Sequence, residues 1–314
     1  MNLDFCVKYP FTKDAKNILE KEEIQINERI VEKAVDRIKS ALEGKIKTTS
    51  ALHPSEKVEA IASYAASRMI LSYMRNRFLI NRYSIAESKK AFSYLGNESK
   101  ENIKKVSDEF GIKIKEEDGK LMMHFSSYLK YMPLAIEYRL VNRDIKSGYV
   151  LITPHERIRI ISEAVKEKII RLPHLGKPPE LIEEASKKLN LILPKIAPKE
   201  ISFKKGENPP CIEELMGDVK IHKNLGHQAR WFLAVYLINN GMETEKIMEI
   251  FSNLPDFSEK ITKYQIEHAK KRGYVVPACG TLKGYGLCVT ECRIGSPLNW
   301  RKKYGARTKE KDSK

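Results

Sequence analysis

The stretch PACGTLKGYGLCVTEC, Pro277 to Cys292, carries three cysteines, Cys279, Cys288 and Cys292, separated by 8 and 3 residues. Cys211 lies upstream, with 67 residues between it and Cys279, and Cys6 stands alone near the start. Four thiolates can serve one centre if the fold returns Cys211 to the glycine-rich loop that holds the other three. Two centres meet that ligand count, a Cys₄ zinc site and an iron–sulfur cluster. Zinc ribbons are usually built from paired C-x₂-C knuckles, and this chain has none. A cubane is larger than one ion and takes ligands from dispersed segments, so the spacing favours [4Fe–4S] and leaves zinc open. Four buried small hydrophobes fit poorly in a loop with Gly280, Gly284 and Gly286. Disulfides are not expected in a reducing compartment. A centre that ties the two ends of a small domain together contributes mainly to structure.

Outward from that stretch the chain reads as helical. Gly226 to Asn240 is helix-like with a stop at Gly241, Glu243 to Leu254 predicts a second helix, and Ser258 can cap a third that ends before Gly273. From Pro277 onward the glycines and Pro297 predict a loop-rich tail, frayed over Lys309 to Lys314. Upstream, Pro194, Pro198, Lys204-Lys205-Gly206 and Pro209-Pro210 interrupt helical periodicity and mark a linker near residues 197 to 208. Before it, Ile30, Val31, Ala34, Ile38 and Leu42 recur at helix spacing. So do Val58, Ile61, Ala62, Ala65 and Met69 after Pro54-Ser55. Two short runs around Asp118-Gly119 predict a β-hairpin, Gly148 to Ile152 a short strand, and Pro154 to Arg171 another helix. The fold class is therefore mainly α in two domains. An elongated helical domain with a small β insert spans residues 1 to 200, and an all-α domain spans 208 to 314.

Composition limits the function. The 314 residues hold 57 Lys and Arg against 41 Asp and Glu, a net charge of +16, with 42% hydrophobic residues. Such a chain buries a core and is not disordered, and its charge attracts polyanions, nucleic acid first. From Phe257 to Lys311 thirteen Lys and Arg face four Glu, and Tyr264, Tyr274, Tyr285, Trp300 and Tyr304 lie among them. Basic side chains engage phosphates while aromatic rings stack on unpaired bases. No stretch of about 18 apolar residues occurs, so no membrane helix is expected. Asp4, Lys8 and Lys13 break up any signal-peptide core, and an intracellular, nucleoid-associated protein is expected. Nucleotidyl transfer needs clustered carboxylates that hold two metal ions. The nine aspartates are scattered, none within three residues of another, and no phosphate-binding G-x-x-x-x-G-K-[ST] loop is present.

Several motifs in order then carry a resemblance. They are Pro209-Pro210-Cys211-Ile212, Asn224-Leu225-Gly226-His227-Gln228-Ala229-Arg230 leading into an apolar helix, Lys263 to His268, Pro277-Ala278-Cys279, Tyr285 to Cys288, and Ser296 to Trp300. Together they resemble the C-terminal iron–sulfur domain of the DNA primase large subunit, archaeal type. Leu140 to Asp144 and Gly148 to Val150 look like a junction in that family's N-terminal region. The resemblance implies a [4Fe–4S] cluster on Cys211, Cys279, Cys288 and Cys292. It also implies a regulatory, non-catalytic subunit whose helical domain docks the catalytic small primase subunit. In the family the cluster domain grips the DNA template and the 5′-triphosphate end of the RNA primer or initiating nucleotide. By the same resemblance Asn224, His227, Arg230, Tyr264 and Gln265 lie on that nucleic-acid face. The chain departs from the eukaryotic pattern at Asn224, Gly226, Ile238 and Thr262, so fewer triphosphate contacts are expected. Two further readings are a repair glycosylase-like iron–sulfur enzyme, which needs a base-flipping pocket with a catalytic carboxylate or lysine, and a zinc-stabilised nucleic-acid-binding scaffold.

Overall fold

The computed structural model describes residues 2–44, 53–173, 176–196 and 206–309. The linker expected at 197 to 208 lies outside the described residues up to 205, as does the tail beyond 309. Two compact units emerge: residues 1–133 with 137–196, and residues 134–136 with 197–314.

The first unit holds α1 (Leu3–Lys8), α2 (Lys13–Lys21), α3 (Glu28–Leu42), α4 (Pro54–Met74), α5 (Arg77–Leu95) and α6 (Lys100–Glu109). It continues with β1 (Ile114–Glu117), β2 (Lys120–His124), α7 (Phe125–Tyr131), β3 (Ile145–Lys146), β4 (Tyr149–Ile152), α8 (Pro154–Ile170) and α9 (Glu180–Ile196). Side-chain caps start these helices. Asn27 accepts from the Ile30 N–H, Asn76 from Leu79 and Ser99 from Asn102. At α8, Thr153 and Glu156 form a capping box with Pro154 in the first turn. The predicted stripe of α3 is buried at Ile30, Val31, Ala34, Ile38 and Leu42. It packs on α4 and α5, and α5 packs in turn on α8.

The β insert is larger than the hairpin expected from sequence. A four-stranded antiparallel sheet runs β1-β2-β4-β3, with Ile114 opposite Met123, Leu121 opposite Ile152 and Ile145 opposite Val150. Asp118 (φ 51°) and Gly119 (φ 71°) make the first turn with both central residues left-handed, as a two-residue hairpin requires. Ser147 (φ 50°) and Gly148 (φ 78°) repeat that device between β3 and β4, which sequence reading missed. The central strands β2 and β4 bury Met122, Met123, Val150 and Ile152.

The second unit contains α10 (Pro210–Lys220), α11 (His227–Asn239), α12 (Thr244–Ser252), α13 (Glu259–Arg272), α14 (Cys279–Gly284) and α15 (Trp300–Lys309). Its described residues include no strand. The apolar helix α11 runs through the core, burying Phe232, Leu233 and Tyr236 among Ile212, Ile247 and Ile266. Gly273 (φ 59°) closes α13 in the left-handed region, where its backbone N–H reaches the Ala269 and Lys270 carbonyls. The tail is less loop-rich than expected. Gly280 and Gly284 sit within α14, and α15 forms from a charged segment with no apolar stripe. Among the described residues no helix is long and apolar enough to cross a membrane.

Candidate metal centre and nucleic-acid interface

Pro209 and Pro210 open α10, so Cys211 falls in its first turn, and the next residue, Ile212, anchors that turn in the core. Cys279 begins α14, and its backbone N–H donates to the Gly295 carbonyl at 2.9 Å. Buried Leu282 fixes α14 from below, and Leu287 N–H returns to the Leu282 carbonyl at 2.9 Å. Beyond that turn, the Cys288 and Cys292 thiols both donate to the Thr290 carbonyl, at 3.3 and 3.7 Å. Cys211, Cys279, Cys288 and Cys292 thus line one cavity of about 120 Å³, with Pro209, Leu282 and Ile294 supplying apolar wall. An ion pair between Lys283 and Glu291, 2.7 Å long, also borders it.

The thiols feel one another. Burial pushes Cys211 up to about 12, and the neighbouring Cys279, Cys292 and Cys288 add to the rise. Burial raises Cys279 and Cys292 as well, again with a contribution from Cys288. Among the described residues no three His, Cys, Asp or Glu side chains are grouped to hold one metal ion.

A second cavity, of about 320 Å³, lies between α11, α12 and α13. His227, Arg230, Tyr264 and Gln265, four of the five nucleic-acid residues expected from sequence, line it together. The fifth, Asn224, adjoins it through Arg230, whose Nη2 donates to Asn224 Oδ1 at 2.5 Å. Arg230 is held on two further sides: Nε donates to the Leu225 carbonyl at 2.8 Å, and Nη2 donates to Asp256 Oδ1 at 2.5 Å. Three of the five guanidinium N–H groups are thereby used. Among the described residues Nη1 makes no hydrogen bond, which leaves its two N–H groups for a ligand.

Sequence reading did not place Asp256 or His268 in the site, and it named Tyr274 only as one of the aromatic residues of the basic region. Trp231, Tyr274, His268 and Tyr264 form a chain of rings along the cavity. Their successive centroids are 6.0, 5.9 and 5.9 Å apart, with His268 and Tyr264 stacked at 30°. The four-residue spacing of Tyr264 and His268 on one helix face was a usable signal. Asp256 had none, since its partner lies 26 positions away in sequence. Leu254, Phe251 and Ile266 are buried along the same cavity. A planar ring can stack here while a phosphate meets Arg230.

Residues 201–311 match the family model for the C-terminal domain of the eukaryotic and archaeal DNA primase large subunit. The DNA primase large subunit of Methanosarcina mazei is 32% identical, over 96% of this chain and 89% of its own length. That of Methanosarcina acetivorans is 30% identical over 85% and 77%, and that of Archaeoglobus fulgidus 30% over 81% and 73%. With a likeness that runs through both units, the chain belongs to the DNA primase large subunit family.

Proposed function

We propose that this primase large subunit, acting in DNA replication, is the regulatory and non-catalytic partner of a catalytic small subunit. Its first unit docks that subunit, and its second holds a [4Fe–4S] cluster and helps start the RNA primer on a DNA template. The observation that carries this reading is the arrival of Cys211 beside Cys279, Cys288 and Cys292 on one cavity, despite their separation in sequence. The donor set fits the group: four thiols, the usual ligands of a cubane, on the wall of one cavity. Bound there, the cluster would supply a cross-link between the two ends of the unit and a redox-capable centre. Lack of catalysis is supported by the scatter of the aspartates, one of which, Asp256, is committed to Arg230.

The residues of the second cavity perform the binding. Arg230 is held in one plane by Leu225, Asn224 and Asp256, and offers Nη1 to a phosphate oxygen of the initiating nucleotide or primer end. His227 stands at the first position of α11, whose N-cap Gly226 has no side chain to satisfy the first-turn N–H groups. That helix end favours an anion. Tyr264 and the rings beside it stack a base, and Gln265 supplies an amide at the same cavity.

De novo primer synthesis with the small subunit tests the division of labour. The full chain should start and extend primers, whereas residues 1–207 should support extension and fail to start. Iron and sulfide analysis of anaerobically purified protein tests the centre, and a colourless protein with one equivalent of zinc would remove the cluster. Co-elution of the two subunits on size exclusion tests the partnership.

A further inference from the structure

α15 is a helix that its own sequence does not explain. Trp300 to Lys309 is charged on nearly every side, and such a segment forms a helix only where other contacts hold it. Those contacts come from Trp300, Lys303 and Tyr304, whose spacing of three and four puts them on one face. Trp300 Nε1 donates to the Gly206 carbonyl at 3.1 Å. Lys303 Nζ donates to the carbonyls of Cys292 and Arg293, at 3.3 and 3.1 Å, and the Tyr304 hydroxyl donates to the Cys292 carbonyl at 3.2 Å. The two rings brace each other with centroids 4.4 Å apart, and the Lys303 ammonium sits 5.4 Å from the Tyr304 ring centroid.

Lys303 and Tyr304 end on the Cys292–Arg293 backbone, and Trp300 ends on Gly206, five residues before Cys211. The Cys292 carbonyl takes two of the hydrogen bonds. Gly206 lies just before α10, and its N–H donates to the carboxylate of Glu213, a residue of the same helix as Cys211. One helix face therefore holds both the segment entering at Cys211 and the segment leaving at Cys292. Arg293 is left-handed at φ 52°, a conformation that costs a non-glycine residue energy and needs support from outside. Lys303 supplies it by capping the Arg293 carbonyl.

We propose that α15 is a clasp on the cysteine site: Trp300, Lys303 and Tyr304 are positioning residues that keep its first and last ligands in register and slow the loss of whatever the site binds. As a statement about metal retention this rests on the cluster reading, while as a statement about the geometry of the thiols it does not. Outer hydrogen bonds of this kind orient ligands without touching the metal.

The test uses the full chain carrying Trp300→Phe, Lys303→Met and Tyr304→Phe together, substitutions that remove the donors and keep an aromatic or unbranched side chain in each place. In the cluster-loaded protein, visible absorption under air and chelator should bleach on the order of tenfold faster than in the parent. In the metal-free protein, maleimide labelling read by mass spectrometry should modify Cys292 several-fold faster, with buried Cys6 unchanged as the internal reference. Rates within twofold of the parent in both arms would overturn the clasp. If the parent is colourless and iron-free the cluster reading fails, and the labelling arm still decides the clasp. Should the triple variant lose its helical circular dichroism, Lys303→Met and Tyr304→Phe are scored singly by the same two rates. The clasp then requires both single variants to exceed the parent by more than twofold, and rates within twofold in both would overturn it.

Discussion

Each unit holds an arginine against a carboxylate, and the two pairs are built for different ends. In the first unit Arg37 meets Glu87 with two parallel hydrogen bonds, 2.5 and 2.7 Å, and side chains only 13% and 8% exposed. Burial alone would raise the Glu87 carboxyl, but the Arg37 charge and hydrogen bonds outweigh it and hold the group below its ordinary range. Nε and Nη2 of that guanidinium are matched by the carboxylate and its face lies 5.3 Å from the Tyr64 ring centroid, so it is burial that withholds it from a ligand. In the second unit Arg230 touches Asp256 through Nη2 alone, both side chains are about a quarter exposed, and Nη1 remains beside a cavity lined with rings. The contrast shows one carboxylate that locks an arginine into a core and another that aims an arginine at a cavity.

The comparison breaks most readily at the buried pair. Glu87→Ala leaves a guanidinium uncompensated in the core and should cost about 3 to 5 kcal/mol of stability by urea unfolding, with no effect on the second unit's ligand affinity. A cost below about 1 kcal/mol would make the two pairs alike. Lys90 sharpens the same region. Only 6% exposed, its ammonium is pushed down from the ordinary 10.5 to about 8 by burial, aided by the Arg37 charge and opposed by Glu87. Between pH 8 and 10.5 the unfolded chain keeps the Lys90 proton and the folded chain does not, so stability from this group rises with pH across that window. Below pH 8 the cost of burying the charge is fully present. Lys90→Met should therefore stabilise the protein at pH 7 by up to about 3 kcal/mol, with the gain disappearing by pH 10.5 in paired melts.

At the exposed pair, Arg230→Ala should weaken binding of a 5′-triphosphate primer–template by about 1 to 3 kcal/mol, and binding of the 5′-hydroxyl form by less. Equal losses would reduce Arg230 to a general phosphate contact. The smallest effect is expected at Asp256→Asn, which keeps an acceptor for Nη2 while removing a negative charge. Anion binding should tighten by less than about 1 kcal/mol, with both variants read by fluorescence-anisotropy titration of the labelled primer–template. A loss as large as that of Arg230→Ala would mean that the charge of Asp256, and not its geometry, holds the site together.

These differences mark what sequence can carry. The stripe of α3, the Asp118-Gly119 turn and the extent of α13 follow from local spacing and turn residues, and the structure has them, although Ser258 at the start of α13 makes no side-chain cap hydrogen bond. His227, Arg230 and Tyr264 were named by the family resemblance, and the structure puts them on one cavity. Three features were not legible, each for its own reason. Asp256 reaches Arg230 only through tertiary packing. The joining of β4 to the hairpin is a pairing between distant strands, which short alternating runs do not announce. α15 has no apolar period, because what forms it is hydrogen bonding to carbonyls elsewhere in the unit.

The meeting of Cys211 with Cys292 also has a polymer consequence. Some 80 residues separate them, so a group bound to both turns that length of chain into a ring. For a covalent link of that span, loop closure would raise the free energy of the unfolded chain by about 4 to 5 kcal/mol. Removing a cluster from this site would then register as a lower melting temperature across α10 to α14, and a bleached sample would be one whose second unit has regained its full conformational freedom when unfolded.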